Sequence, residues 1–127
     1  MSKSIEELVK YRIARSKETL EEATLLANGG FWNAVANRLY YSSYYMVAAL
    51  LLKNGHPANS HNGVKTIFHK EFVKSERVSL DTGKLYSRLF NLRQKDDYTD
   101  FQKFTQEEIF PFIAEVQRFI TEIEKII

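Results

Sequence analysis

The stretch from Phe31 to Lys53 constrains the fold more than any other feature of this sequence. It contains no glycine or proline, and drawn as a helix it is apolar around almost its whole circumference. Such a helix has to contact neighbours on several sides, so it belongs at the centre of a helical domain. Its longest apolar run, Tyr44 to Leu52, is far shorter than the roughly 20 residues that span a membrane. We therefore expect a soluble protein built around this helix.

The rest of the chain also shows helical periodicity with little punctuation. With 127 residues, two prolines and five glycines, it has the length of one domain and few helix breaks. Three long helices are predicted from about Ile5 to Asn28, from Phe31 to Lys53 and from Leu80 to Lys95. A short helix follows the cap residue Ser60, and a last helix follows the cap residue Thr105. Pro111 should kink this last helix or delay its regular start. Residues 1–127 are thus predicted to form a single all-α domain, an up-and-down four-helix bundle with an additional short helix.

Several function classes are excluded by what the sequence lacks. It has no cysteine, which rules out disulfide scaffolds and thiol catalysis, and it has neither a phosphate-binding P-loop nor a Gly-x-Ser-x-Gly elbow. His61 and His69 are two helical turns apart, about 12 Å, which is too far for one zinc ion. We interpret these two and His56 as surface or helix-capping residues, and we predict no metal site and no cofactor.

The charge is unevenly distributed along the chain. The net charge is +2, but residues 53–103 carry a net +4 and residues 104–127 a net −3. A solvated helix face explains the basic middle, and so does a surface for RNA or a nucleotide. The first ten residues carry charges and lack an apolar signal core, so we expect a cytoplasmic protein.

A polar group interrupts the apolar helix at Asn37 and Arg38. A charged side chain in a central helix is costly unless its donors are satisfied. Arg38 either pairs with a carboxylate or presents its five donors at a cleft or subunit contact, where they suit a phosphate. Tyr41 lies four residues after Asn37, so the two share a helix face. These residues are candidates for ligand binding.

A second polar cluster ends the fourth helix and contains Arg93, Lys95, Asp97 and Tyr98. Cations near a helix C-terminus complement its dipole, and Asp97 can fold back on Arg93 for the same structural purpose. An arginine, an aspartate and a tyrosine leaving a helix end are also how a polar site is assembled. Arg93, Asp97 and Tyr98 are therefore candidate catalytic residues.

In their order and spacing these residues resemble the HEPN-domain family, in its small stand-alone prokaryotic branch. The similarity extends from about Tyr11 to the C-terminus. The matching motifs are Asn37-Arg38-x-Tyr40-Tyr41, Ser60-His61-x-Gly63-Val64, Phe68-x-Lys70-Glu71-Phe72-Val73-Lys74 and Leu89-Phe90-x-Leu92-Arg93-Gln94-Lys95-x-Asp97-Tyr98.

The resemblance implies a helical bundle that is commonly a homodimer and is frequently paired with a minimal nucleotidyltransferase in two-gene toxin–antitoxin modules. Many members are metal-independent ribonucleases with an Arg-x4–6-His motif, in which arginine stabilises the phosphate and histidine moves protons. Arg93 matches the arginine, but Tyr98 stands where the histidine is expected. A second-helix histidine of many members would fall at Tyr45, which joins the candidates for ligand binding. Tyrosine, with a pKa of about 10, is a poor general base at neutral pH.

Three hypotheses follow for the function. The first is a dimeric binding module that presents Arg38, Tyr41, Arg93 and Tyr98 to a nucleotide, RNA or a partner nucleotidyltransferase. The second is a ribonuclease that uses Arg93 with Asp97 or Tyr98. The third is a purely structural helical interaction domain. If the protein is a toxin, Tyr98 is also a candidate acceptor for a group that the partner transfers.

Overall fold

The computed structural model describes residues 3–98, 100 and 102–127, without the side chain of Tyr98. The helices are α1 (Lys3–Asn28), α2 (Trp32–Lys53), α3 (His61–Phe68), α4 (Leu80–Tyr98), α5 (Gln106–Ile109) and α6 (Pro111–Glu124). A π-helical turn, His69–Val73, continues α3. The described residues contain no strand, and the prediction of an all-α fold is confirmed. In that same part of the chain, no helix is both long and apolar enough to cross a membrane.

The four long helices α1, α2, α4 and α6 form an up-and-down bundle. Glu22 of α1 pairs with Arg38 of α2, whereas the earlier Arg12 reaches the later Ala48, so these two helices are antiparallel. Contacts from α2 to α4 and from α4 to α6 follow the same antiparallel order. Lys17 of α1 contacts Glu124 of α6, which closes the bundle. Helix α2 contacts every other helix of the bundle, as its apolar circumference predicted.

Two predicted start signals are present at helix ends. Ser60 caps α3, because its hydroxyl accepts a hydrogen bond from the Gly63 backbone N–H at 2.9 Å. Thr105 and Glu108 form a reciprocal capping box at α5. Pro111 is the first residue of α6, where a proline costs no helical hydrogen bond. The proline therefore delays the regular start of the last helix, one of the two predicted outcomes.

Helix α4 is longer than predicted. It continues to Tyr98 instead of ending at Lys95, so the expected loop begins later. The extra turn keeps Asp97 on the same helix as Arg93 and one turn away from it, where the two side chains form an ion pair.

Asn33 of α2 fastens the end of α4 to the chain that follows it. Its amide nitrogen donates to Asp96 Oδ1 at 2.7 Å and to the Gln102 carbonyl at 2.8 Å. Its amide oxygen accepts from the Phe104 backbone N–H at 2.9 Å. One side chain thus uses three hydrogen bonds to fix where α4 ends.

Helix α4 also approaches the π turn very closely at Gly83. A Cβ atom at this position would lie 2.9 Å from both methyl groups of Val73 and 3.4 Å from Cε1 of His69. The absence of a side chain at Gly83 therefore allows the close contact between α4 and the end of α3.

Candidate functional site

Tyr40 of α2 lies fully buried at the place where α2, α3 and α4 meet. Its hydroxyl is 2.8 Å from Nδ1 of His61, and its ring lies 5.0 Å from Cζ of Arg93. Burial raises the pKa of Tyr40, so its phenol stays protonated at neutral pH. Tyr40 therefore brings together a histidine from α3 and an arginine from α4. We call Tyr40, Tyr41, Tyr44, His61 and Arg93 the Tyr40 cluster.

His61 is enclosed by aromatic rings and remains half-buried. The ring centroids of Tyr41 and Tyr44 lie 5.6 Å and 4.7 Å from its own. Burial lowers the pKa of His61, the charge of Arg93 lowers it further, and Asp97 acts in the opposite direction. The imidazole is thus neutral at neutral pH and keeps one nitrogen that can accept a proton.

The interpretation of the histidines as surface or capping residues is wrong for His61 and His69. Both are half-buried, and His69 Nε2 lies within hydrogen-bond distance of Ser87 Oγ at 3.1 Å. Spacing along one helix does not reveal that α3 packs against α2 and α4, and this packing partly buries both imidazoles. A signal was present in the sequence, because His61, Lys65 and His69 follow each other at steps of four on one helix face.

Arg93 is 7% exposed, which is unusual for an arginine. Its Nη1 donates to Asp97 Oδ2 at 3.0 Å, and Cζ lies 5.8 Å from the centre of the Phe90 ring. Its Nε is buried and has no hydrogen-bond partner among the described residues. A buried donor without a partner is costly, and none of the residues that the structure describes supplies an acceptor for it.

Arg38, in contrast, has partners within the chain. Nη1 donates to Glu22 Oε1 at 3.1 Å, while Nε and Nη2 donate to Asn37 Oδ1 at 3.1 Å and 2.8 Å. Its Cζ lies 5.4 Å from the centre of the Tyr41 ring. Of the two interpretations left open for Arg38, this geometry matches pairing with a carboxylate.

The structure therefore divides the predicted site residues into two neighbouring groups. Arg93 and Asp97 lie together at the Tyr40 cluster, with Tyr41. Asn37, Arg38 and Tyr45 lie on the side facing α1, where Arg15 lies 5.3 Å from the centre of the Tyr45 ring. Tyr41 contacts both groups. The side chain of Tyr98, the third catalytic candidate, is outside the described part of the molecule.

The Tyr40 cluster combines a buried guanidinium, a neutral imidazole and phenol groups. A guanidinium suits phosphate oxygens, and a histidine beside it can move a proton. Within residues 3–98, 100 and 102–127, no three histidine or carboxylate side chains are placed to hold a metal ion together. The chemistry that this cluster offers is therefore recognition of a phosphate anion with a proton-transfer group next to it.

The fold is a small all-α bundle with a buried arginine near the end of α4. The HEPN domain model matches residues 9–126, so the chain belongs to the HEPN family. A UPF0332 protein of Thermotoga maritima is 36% identical over 96% of this chain and 92% of its own length. Two proteins of Methanocaldococcus jannaschii are named "Putative toxin". One is 30% identical over 98% of this chain and 92% of its own length. The other is 29% identical over 89% of this chain and 77% of its own length.

Proposed function

We propose that this HEPN protein is a toxin-like binding module that holds a phosphate group of RNA or of a nucleotide at the Tyr40 cluster. The observation that carries the proposal is the Nε of Arg93, which is buried and without a partner among the described residues. A phosphate oxygen supplies an acceptor for it once the side chains that cover Nε shift, and charge-assisted hydrogen bonds of this kind are strong. The relatives named as toxins support a toxin-like role.

Binding of fluorescein-labelled single-stranded RNA and of AMP tests this function. Arg93→Gln removes the guanidinium, and we expect affinity to fall at least tenfold, since hydrogen bonds to charged groups contribute about 1.5–3 kcal/mol. Arg88→Gln is the matched control, because it removes the same charge from an exposed position on the same helix. Equal losses in the two variants would mean that binding is unspecific attraction to a basic surface.

Asp97→Asn tests the same site through a change that should raise phosphate affinity instead of lowering it. This change removes a negative charge and frees Nη1 of Arg93 from its ion pair. Phosphate affinity should therefore rise, and the variant remains informative even if Arg93→Gln disturbs folding. A fall in affinity would contradict the proposal.

A ribonuclease is the second candidate function, and the position of His61 favours it. With a proton on Nδ1 donated to the Tyr40 hydroxyl, Nε2 can accept the proton of a ribose 2′-hydroxyl. The 2′-oxygen then attacks phosphorus, the bond to the 5′-oxygen breaks, and that oxygen takes a proton from water. The products are a 2′,3′-cyclic phosphate and a 5′-hydroxyl, and Arg93 neutralises the charge that develops on the phosphate. In this role His61 replaces Asp97 or Tyr98 of the sequence hypothesis.

RNA cleavage and mass spectrometry of the new ends separate the two candidates. His61→Gln should abolish cleavage but retain binding, while His56→Gln should retain both. If His61→Gln and Arg93→Gln both cleave at the wild-type rate, the activity belongs to a contaminant or another site. If the wild type binds RNA without cleaving it, the protein is a binding module.

The homodimer and the partner nucleotidyltransferase are also part of this proposal and rest on family membership. Light scattering of the purified chain tests the dimer, which should give twice the mass of 14.8 kDa. Co-purification from the native host tests the partner. Recovery of the chain alone from a host that encodes a neighbouring nucleotidyltransferase would contradict the pairing.

A further inference from the structure

The line along which α3 meets α4 carries two regular rows of side chains, several of them basic. His61, Lys65 and His69 follow each other at steps of four on α3 and its π turn, so they share one face. On α4, Ser87, Phe90 and Arg93 follow at steps of three. The two rows meet in order, and we call these six residues the α3–α4 seam.

The middle of the seam places two cations on one aromatic ring. Nζ of Lys65 lies 5.0 Å from the centre of the Phe90 ring, and Cζ of Arg93 lies 5.8 Å from the same centre. Asp97 neutralises part of the charge at Arg93. Lys65 forms no ion pair with any residue that the structure describes. Its charge is therefore uncompensated within the described chain, next to the arginine that already needs an acceptor.

The far end of the seam supplies a neutral hydrogen-bonding pair. Burial and the charge of Lys65 lower the pKa of His69, so its imidazole is neutral at neutral pH. When Nε2 carries the proton, it donates to Ser87 Oγ, and the serine hydroxyl is left to donate to another acceptor. Lys65 and Ser87 together can thus direct a cation and a hydroxyl donor at one anion.

We propose that Lys65 and the His69–Ser87 pair form a second phosphate subsite beside the one at Arg93 and His61, so that the preferred ligand is an RNA strand bound through two consecutive phosphates. Lys65 lies one helical turn, about 6 Å, from His61, which is close to the separation of successive phosphates in an extended strand. This proposal rests on the proposed function and names its substrate class. The alternative role of Lys65 is packing against the Phe90 ring alone.

The test compares AMP, which carries one phosphate, with the 5′-phosphorylated dinucleotide pApA, which carries two. Both are titrated by calorimetry into the full chain at several salt concentrations. The wild type should bind pApA more tightly and with a steeper salt dependence, since each phosphate contact on a single strand adds about 0.7 to the slope. Equal affinities for the two ligands would overturn the subsite but not the proposed function, whereas no binding of either would overturn both.

Lys65→Met is the informative variant, because methionine retains an apolar stem on Phe90 and removes the charge. We expect it to weaken pApA binding about fivefold to tenfold and to leave AMP binding unchanged. Lys70→Met, at an exposed position of the adjoining π turn, is the matched control and should change neither. Ser87→Ala should weaken pApA binding by a smaller factor. If Lys65→Met weakens AMP and pApA equally, or weakens neither, the second subsite is wrong.

Discussion

Arg38 and Arg93 are both arginines of central helices that contact a tyrosine ring, yet their surroundings differ. The side chain of Arg38 is 27% exposed and donates to a carboxylate of α1 and to its neighbour Asn37. The side chain of Arg93 is 8% exposed, has one carboxylate partner, and keeps a buried Nε without a partner among the described residues. The more buried arginine is therefore the less satisfied one.

This difference supports the proposal that Arg93 is a functional charge and Arg38 a structural one. Arg38 is partly exposed and has hydrogen-bond acceptors on two helices, so it needs no external partner. Water solvates the part of its charge that these acceptors do not contact. A buried guanidinium with an unused donor lowers stability and persists where something else compensates for it. The sequence identifies both arginines as candidates. They differ in how many of their hydrogen-bond donors have an acceptor in the structure.

The largest expected effect concerns two tyrosine rings of α2, one that contacts Arg93 and one on the side facing α1 that contacts Arg15. Tyr40→Ala should lower the free energy of unfolding by about 3–5 kcal/mol, because it empties a fully buried site and removes the partner of His61. Tyr45→Ala, on the side facing α1, should cost about 1 kcal/mol, since it removes a half-buried ring and its contact with Arg15. Urea denaturation measures both. Similar losses in the two variants would contradict the central position of Tyr40.

Two asparagines one turn apart on α2 give the next comparison. Asn33→Ala should lower the free energy of unfolding by about 1–3 kcal/mol, because it removes three partly buried hydrogen bonds at the end of α4. Asn37→Ala removes bonds to Arg38 alone and should cost less than about 1 kcal/mol. If Asn33→Ala is as mild as Asn37→Ala, the end of α4 does not depend on this fastening.

The arginines themselves give a smaller and less intuitive effect on stability. Arg93→Met should leave the free energy of unfolding within about 1 kcal/mol of the wild-type value or raise it, because it removes a buried charge and an unpaired donor. Arg38→Met should lower it by about 0–1 kcal/mol, since it breaks a partly exposed ion pair. Added RNA should stabilise the wild type and Arg38→Met but not Arg93→Met. A large loss of stability in Arg93→Met would indicate a structural arginine.

The smallest expected effect is on the pH dependence of stability, and it comes from the two histidines of the α3–α4 seam. The pKa values of His61 and His69 are lowered in the folded protein, whereas in the unfolded chain histidine titrates near about 6.5. As the pH falls below that value, the unfolded chain takes up protons first, so stability falls until the pH reaches the folded pKa values. Thermal melts between neutral pH and pH 5 should become less pH-dependent in His61→Gln/His69→Gln. An unchanged dependence in the double variant would exclude these histidines as its source.

The fold could be predicted because the signals that define a helix involve residues close together in the sequence. The apolar circumference of α2, the cap at Ser60 and the capping box at Thr105 each depend on residues a few positions apart. Arg93 was also found locally, from its place near a helix end. Its burial and its unused donor could not be predicted, because they depend on how α2, α3 and α4 pack.

His61 was missed for the same reason. Its hydrogen-bond partner Tyr40 is 21 positions away, and the influence of Arg93 comes from a third helix. The sequence showed that a histidine was absent where the family motif expects one, but it could not show that another approaches from a different helix. The end of α4 was misjudged because the side chain that fastens it, Asn33, is 63 positions from Asp96.

Gly83 gives the seam a property that no charged residue controls. Its missing Cβ lets α4 come within touching distance of Val73 and His69, so the width of the seam is set by the smallest possible side chain. Adding a single methyl group there would push the two helices apart while leaving every charge in place. If the seam binds RNA as proposed, its lysine, histidines and arginine select an anion, and the close approach at Gly83 limits the thickness of a ligand that fits there.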